Sequence, residues 1–247
     1  LRSGVGPADA ITPHGIKVVH ELPGVGRGMQ DHPKISYRFW VGSDIPQWPH
    51  PWIQALLTSK AEVNGEERLF QVMPYAGFVD GGHRISELNV QVADSRGRTG
   101  RVDIQSTNPM DQPVLRMGWM EAGGDRELAV AAGRELMAVA RTTPLADLLD
   151  PWPNMDDPDH ALRTVETFHH PVASLRMGLD SDPMAVTDGQ GRIRGIDGAW
   201  CIDASIIPRV PSANTHLAVI ALSEKLGAEF LHGTGHGAAA VSPPGGA

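Results

Sequence analysis

Apolar and polar positions alternate along the middle of the chain. In Lys34-Ile35-Ser36-Tyr37-Arg38-Phe39-Trp40-Val41 the apolar side chains fall at every second residue, the period of a half-buried strand. Residues 69–79 and 86–93 read the same way, and Arg101–Ser106 sets Val102 and Ile104 on one face. Glycines and prolines between these segments mark turns, so the middle of the chain is expected to form an antiparallel sheet. Ile16–Val19 is a shorter strand candidate before the turn-rich Gly24-Val25-Gly26-Arg27-Gly28. The period then becomes helical. Asp125–Arg141 carries Leu128, Ala132, Leu136, Val139 and Ala140 at helix spacing, after Gly123-Gly124 and before Pro144, which predicts a helix. His160–Thr164 reads as a short helix after the proline-rich stretch 151–158. Ala199-Trp200-Cys201-Ile202-Asp203 reads as a short apolar strand ending in an acid, and Pro208–Asn214 as a polar loop. Leu217–Leu231 reads as a helix, with Leu217, Ile220, Ala221, Leu226 and Phe230 as its apolar positions. Residues 232–247, rich in Gly, Ala, Ser and Pro, read as a disordered tail.

Composition narrows the class. Hydrophobic content of 41% with 20% charged residues is that of a globular protein, and 247 residues suffice for one large domain or two smaller ones. The formal charge of −8 offers no basic stripe, so no nucleic-acid partner is expected. No apolar run reaches the roughly 18 residues of a membrane span, and none is expected. The opening Leu1-Arg2-Ser3-Gly4 has neither a leader pattern nor an initiator methionine, and reads as the interior of a longer protein. The single cysteine, Cys201, excludes an intramolecular disulfide and fits a reducing, cytoplasmic setting. It reads as a buried strand residue, because no electropositive neighbour would activate its thiol.

Three segments carry chemistry. The first is Leu1-Arg2-Ser3-Gly4-Val5-Gly6-Pro7, followed by Leu22-Pro23-Gly24-Val25-Gly26 and Gln30-Asp31-His32-Pro33. The second is His170-Pro171-Val172-Ala173-Ser174-Leu175-Arg176-Met177-Gly178. The third is Ile202-Asp203-Ala204-Ser205, then Pro208 and Pro211-Ser212-Ala213-Asn214-Thr215. In this order they resemble the C-terminal portion of the glucose–methanol–choline (GMC) oxidoreductases, with gaps in the middle, over about residues 1–231. The resemblance implies an α/β fold: a partial FAD-binding domain of doubly wound type plus an antiparallel-sheet substrate domain. It assigns 1–33 to the FAD-binding domain, 34–165 to the substrate domain and 166–231 to a return into the FAD-binding domain. The family's Gly-x-Gly-x-x-Gly, which receives the FAD pyrophosphate at a helix start, is not in this chain. Gly24, Gly26 and Gly28 give Gly-x-Gly-x-Gly, followed by Gln30-Asp31-His32-Pro33 instead of a helix, and read as a structural turn. The N-terminal dinucleotide-binding half is therefore expected to be missing, and FAD binding by this chain alone to be weak.

Oxidising an alcohol removes a hydroxyl proton and a hydride. Histidine suits the proton, because its ordinary pKa lies near neutrality, and a second polar side chain can fix the hydroxyl. By resemblance His170 is the catalytic histidine, and Asn214 stands at the partner position, which is His or Asn across the family. They lie 214 − 170 = 44 residues apart, so only the fold can unite them. The resemblance also implies FAD contacts at Asp203 and Ala204, and at Asn214, Thr215 and His216, where the last helix would point its positive end at the flavin. A carboxylate at a strand end can equally cap a turn, so Asp203 has both readings. His169, one residue from the motif position, should face elsewhere. No acidic pattern supports a metal site from His169, His170 and His216, and none is expected. After the histidine the common family form has Gly-Thr where this chain has Ala173-Ser174. The expected activity is oxidation of a small-molecule alcohol by hydride transfer to FAD. Two alternatives stay open: a hydroxynitrile lyase on the same scaffold, or a truncated product without catalysis. Trp40, Trp48, Trp52, Phe70, Tyr75 and Phe78 are candidates for a cavity lining or for the core. The sequence selects neither the alcohol nor an oligomeric state.

Overall fold

The computed structural model describes residues 1–42, 53, 55–80, 82–96, 100–121, 124–157 and 159–233. Its elements run β1 (Val5–Gly6), α1 (Ala8–Ile11), β2 (His20–Glu21), β3 (Arg27–Met29), β4 (Pro33–Val41), β5 (Leu57–Val63), β6 (Glu66–Asp80), β7 (His83–Gln91), β8 (Gly100–Asp103), β9 (Val114–Arg116), α2 (Asp125–Ala140), α3 (Leu145–Leu148), β10 (Leu149–Pro151), α4 (His160–Arg163), β11 (Val165–Thr167) and α5 (His216–Gly233).

The expected antiparallel sheet is present. Its strand order is β10-β4-β7-β6-β5, with β11 pairing the first residues of β4. Because side chains alternate across a strand, Ile35, Tyr37 and Phe39 share one face of β4. That face packs with Val63, Phe70, Val72, Leu88 and Val90 against Leu128, Ala129, Ala132, Leu136, Met137 and Ala140 of α2. The opposite face is polar. Lys34, Ser36 and Arg38 stand across from Gln91, Asn89 and Glu87 of β7. Ser36 donates to the Asn89 amide oxygen at 2.6 Å, and Arg38 pairs with Glu87 at 2.7 Å.

Two devices seat α2 on the sheet. Gly133, in the middle of the helix, lies directly over the Tyr37 hydroxyl, and a methyl there would overlap Oη. The helix tolerates a residue that costs about 1 kcal/mol in propensity, because only glycine lets the buried Tyr37 ring fit beneath it. At the N-terminus Asp125 is 1% exposed and meets Arg68 of β6, 2% exposed, at 2.6 Å. The Asp125 carboxylate also accepts from Ser95 Oγ at 2.8 Å and from the Arg96 backbone N–H. A buried ion pair is stable only with such added bonds.

The remaining segments are short. β3, β8 and β9 form a separate three-stranded antiparallel sheet, and β1 pairs with β2 in parallel. Among the described residues this two-strand ladder is the only parallel pairing between named strands. The segment 101–106 therefore joins β3 instead of the six-stranded sheet. Ile16–Val19 is not a strand: the pairing residues are His20–Glu21, and Val19 is exposed. Ala199–Asp203 contributes one isolated bridge, Arg192 with Trp200, and no strand, so Cys201 is half-buried in a coil. On α2 Val139 faces solvent. On α5 Leu226 alone of the five expected apolar positions is buried. The glycine turn is a turn: Gly26, with φ of 72°, leads into β3 and not into a helix, and Gly28, with φ of 75°, lies within β3. Within the tail segment, residues 234–247 lie outside the described residues; His232 and Gly233 end α5.

Gly133→Ala should cost about 2 kcal/mol net, an overpacking penalty partly offset by better helix propensity. In a Tyr37→Phe background the cost should shrink, and equal costs in both backgrounds, by chemical denaturation, would contradict the packing account. Asp125→Ala should cost about 3 kcal/mol, the low end for a broken buried pair, because Asp94 still faces Arg68 at 3.5 Å. A change below 1 kcal/mol would show that the pair does not hold the helix.

Candidate active site

The site is built on the three residues that lead into β4. Gln30, Asp31 and His32 are each at most 2% exposed, so every polar atom they carry must find a partner inside the protein. Gln30 exchanges backbone hydrogen bonds with Val172, and its amide reaches the 208–210 loop, with Oε1 accepting from the Val210 N–H at 3.2 Å. Asp31 Oδ1 accepts from the backbone N–H groups of His32 at 2.7 Å and His170 at 2.9 Å, and its Oδ2 accepts from the Thr167 hydroxyl. Thr167 Oγ1 in turn accepts from the His169 N–H at 2.9 Å. Burial pushes the Asp31 carboxyl up in pKa, against the pull of these donors.

His32 is the centre of this arrangement. Its Nε2 lies 2.9 Å from the Pro211 carbonyl oxygen. Its Nδ1 lies 2.7 Å from Gln91 Nε2 at the end of β7 and 3.0 Å from His170 Nδ1. The two imidazole rings meet edge-on, with centroids 5.2 Å apart. Burial first, and then the His170 charge, hold His32 down to a pKa of about 4. His170 is half-buried, beside Phe168 at a ring distance of 5.0 Å. Burial lowers its pKa too, with Asp31 pulling the other way and His169 adding to the decrease.

The fold unites some of the sequence candidates and separates others. His170 and the loop leading to Asn214 both touch His32, so the 44 residues between them are bridged by one buried ring. Asn214 is exposed three residues beyond Pro211, Thr215 is buried, and His216 is exposed at the start of α5. His169 turns outward, with φ of 62°. Asp203 caps the turn Ala204–Ile206, accepting from the Ser205 N–H at 2.7 Å and hydroxyl at 2.6 Å. That turn lies alongside the His170 segment, since Ser205 and Ile206 carbonyls accept from Leu175 and Met177. Among the described residues no group of three or more His, Cys, Asp and Glu is arranged to hold a metal, and no helix is long and apolar enough to cross a membrane.

Of the aromatic candidates, Phe70 belongs to the core and Tyr75 is partly buried in β6. Trp40 stands eight residues along β4 from His32, roughly 26 Å away, stacked near Trp152 at 4.8 Å. It lines a groove of about 680 Å³ with Arg141, Ala146 and Pro151. Trp48, Trp52 and the Phe78 side chain lie outside the described residues. Sequence reasoning assigned no role to Asp31, His32 or Gln91. The signal was present in Gln30-Asp31-His32-Pro33, polar residues directly ahead of a core strand.

His32 ties stability to pH. The unfolded chain takes up a proton near the ordinary histidine pKa of about 6.5, whereas the folded ring resists it down to about 4. Stability is therefore complete above that ordinary value and lost as pH falls through the window between the two, by on the order of 3 kcal/mol. The raised Asp31 pKa works in the opposite sense at the acid end of this window. Denaturant titrations between pH 7 and 4.5 should show this decline, flattened in His32→Phe. An equal slope in the variant would contradict the assignment.

The region 95–223 matches the family model described as GMC oxidoreductase, C-terminal part. The oxygen-dependent choline dehydrogenase of Stenotrophomonas maltophilia is 30% identical over 94% of this chain and 48% of its own length. That of Vibrio vulnificus is 26% identical over 93% and 48%. Pyridoxine 4-oxidase from Mesorbium loti superposes with a TM-score of 0.81 at 24% identity, over 94% of this chain and 48% of its own. An Aspergillus oryzae formate oxidase variant, studied for FAD modification, gives 0.80 at 17%, over 94% and 51%. The chain thus spans about half the length of the relatives it matches. With more than half of its residues inside the family model and a curated relative at 30% identity, the chain belongs to the GMC oxidoreductases.

Proposed function

We propose that this chain forms the C-terminal part of an FAD-dependent enzyme that oxidises the CH–OH group of a small alcohol, with His170 as the base and Asn214 as the group that orients the hydroxyl. The observation that carries the reading is the buried His32 ring, which touches both His170 and the loop that ends at Asn214. In this reading residues 34–165 form the substrate-binding part, while 1–33 and 166–231 belong to the FAD-binding part.

The residues present fit FAD. α5 is 18 residues long and has no acidic residue in its first turn. The Thr215 carbonyl accepts from the Val219 N–H at 2.9 Å, so helix geometry leaves the N–H groups of residues 215–218 without helical partners and the positive end of the dipole beside Asn214. Asn214, Thr215 and His216 would hold the flavin's electron-rich edge, and Asp203-Ala204 the chain beyond it. Leu217 and Ile220, exposed on the first turns, offer an apolar flank to the same neighbour. When bound, FAD supplies the hydride acceptor.

The protein's own part is proton handling. His170 is fixed through its backbone N–H to Asp31 and through its ring to His32. A base held in place avoids the entropy of finding the substrate's proton. Its lowered pKa keeps the imidazole neutral, and so able to accept a proton, at pH 7. Activity should accordingly fall as pH drops through that pKa.

His170→Ala should lower kcat/KM by about 10²–10⁴-fold with flavin retained. Asn214→Ala should cost less, because it removes orientation and not the base, and His169→Ala should be nearly silent. The assay is turnover of the flavin-loaded enzyme on small alcohols, choline first because of the choline dehydrogenase relatives. Near-normal turnover by His170→Ala with its flavin intact would end this assignment.

A further inference from the structure

We infer that His32 is a positioning residue that sets the tautomer of His170, holding its proton on Nδ1 and leaving the lone pair on Nε2 for the substrate. The inference rests on the proposed role of His170 as base, and deepens it.

The argument follows from which atoms can donate. The Pro211 carbonyl oxygen can only accept, so the His32 nitrogen 2.9 Å from it, Nε2, carries a proton. His32 is fully buried, with no carboxylate on its ring nitrogens among the bonds described. A neutral ring is the form such a site holds. A neutral imidazole has one N–H, so His32 Nδ1 presents a lone pair. Two nitrogens converge on it, Gln91 Nε2 at 2.7 Å and His170 Nδ1 at 3.0 Å, while the ring's backbone hydrogen bonds run to Pro211 and Ala93. Gln91 points its Nε2 at the ring and leaves its Oε1 buried without a partner among the described residues, and so supplies an amide N–H. If His170 Nδ1 were also bare, two lone pairs would face each other inside the protein. The arrangement without that repulsion places the His170 proton on Nδ1, shared with Gln91 as donors to one acceptor. A neutral His170 with its proton on Nδ1 has its only lone pair on Nε2, the nitrogen farthest from the His32 contact.

Free histidine in water favours the opposite tautomer, with the proton on Nε2, where the ring could not accept a proton from that side. The hydrogen bond made by one ring nitrogen decides the state of the other. Asp31 contributes separately: it takes the His170 backbone N–H at 2.9 Å, fixing where the residue sits. His32 fixes which way its proton points.

Long-range ¹H–¹⁵N correlation spectra of the full chain, labelled on histidine and read above pH 7, test this directly, with the His170 signals assigned by their loss in His170→Gln. The expected result is a protonated Nδ1 and an unprotonated Nε2 for His170, and the reverse for His32. In His32→Phe, which keeps a flat aromatic ring and removes the acceptor, the Nδ1–H form of His170 should fall from dominant to minor. A wild-type spectrum with the His170 proton on Nε2 overturns the inference, whether or not the variant folds. So does a folded His32→Phe protein in which Nδ1–H stays dominant. The tautomer is read without turnover, so its failure is distinct from that of the catalytic reading, which is decided by the activity of His170→Ala.

Discussion

A buried polar pair at the mouth of a core strand is the constraint on which the site rests. Asp31 and His32 lie just ahead of β4, are withdrawn from water, and together bring a carboxylate and an imidazole into the interior. Such groups are expensive to bury unless each lone pair and proton is met. Their partners come from far along the chain. His170 is 138 residues from His32, and Pro211 is 179 residues away. The need to satisfy two side chains thus draws the segment from β11 to His170 and the loop before α5 to one place. Gln30 adds to this with backbone and side-chain bonds to the same two segments. The site is where the demands of these buried groups intersect.

The sheet supplies the fixed frame for this arrangement. β4 is the shared member: its Ile35, Tyr37 and Phe39 are in the core under α2, and its first residue follows directly on His32. Gln91 reaches His32 because the β4–β7 register sets it opposite Lys34, two residues on. A second polar clamp links frame and site. Asp94 faces Arg68 in the buried pair with Asp125, and also accepts from Arg209 at 2.9 Å. Arg209 lies in the loop that carries Pro211. The loop before α5 is therefore tied both to the site, through His32, and to the helix–sheet core, through Asp94.

Much of the frame was legible because its chemistry is periodic. β4, β6, β7 and α2 follow from alternation or helix spacing to within a few residues. β5 was missed because it is an edge strand with polar residues on both faces, so it lacks the signal. Asn64-Gly65, which closes the β5–β6 hairpin with φ of 55° and 81°, was the turn signature that could have found it. Ala199–Asp203 misled for the opposite reason. It is an apolar run that, among the described residues, meets residues 191–193 through one bridge and forms no ladder, and a run alone does not supply the partner. In the site, His170 was legible only through the motif around it. His32 was quoted within a motif but assigned nothing, because a histidine's role depends on what its two nitrogens meet, and those partners, Gln91, His170 and Pro211, lie between 59 and 179 residues away.

Ala173 shows what the anchoring must withstand. It sits three residues after His170, fully buried, with φ of 67°, a conformation that costs a residue with a Cβ on the order of 1 kcal/mol and that glycine adopts freely. The family's usual glycine would remove that strain, and here it is kept. Such a conformation persists only where its surroundings over-determine it, and here they do. Val172 is paired to Gln30, the Ser174 carbonyl accepts from Gly26 at 2.7 Å, and Leu175 donates to Ser205 at 3.0 Å. Bonds from β3's approach on one side and the Asp203 turn on the other hold the segment through the strained residue. A segment gripped this closely leaves His170 little freedom to drift from the ring that orients it. The strain at Ala173 and the burial of His32 are thus two costs of one arrangement. Both lower the stability of the fold, and both are offset by the same network that holds a neutral imidazole at a fixed position.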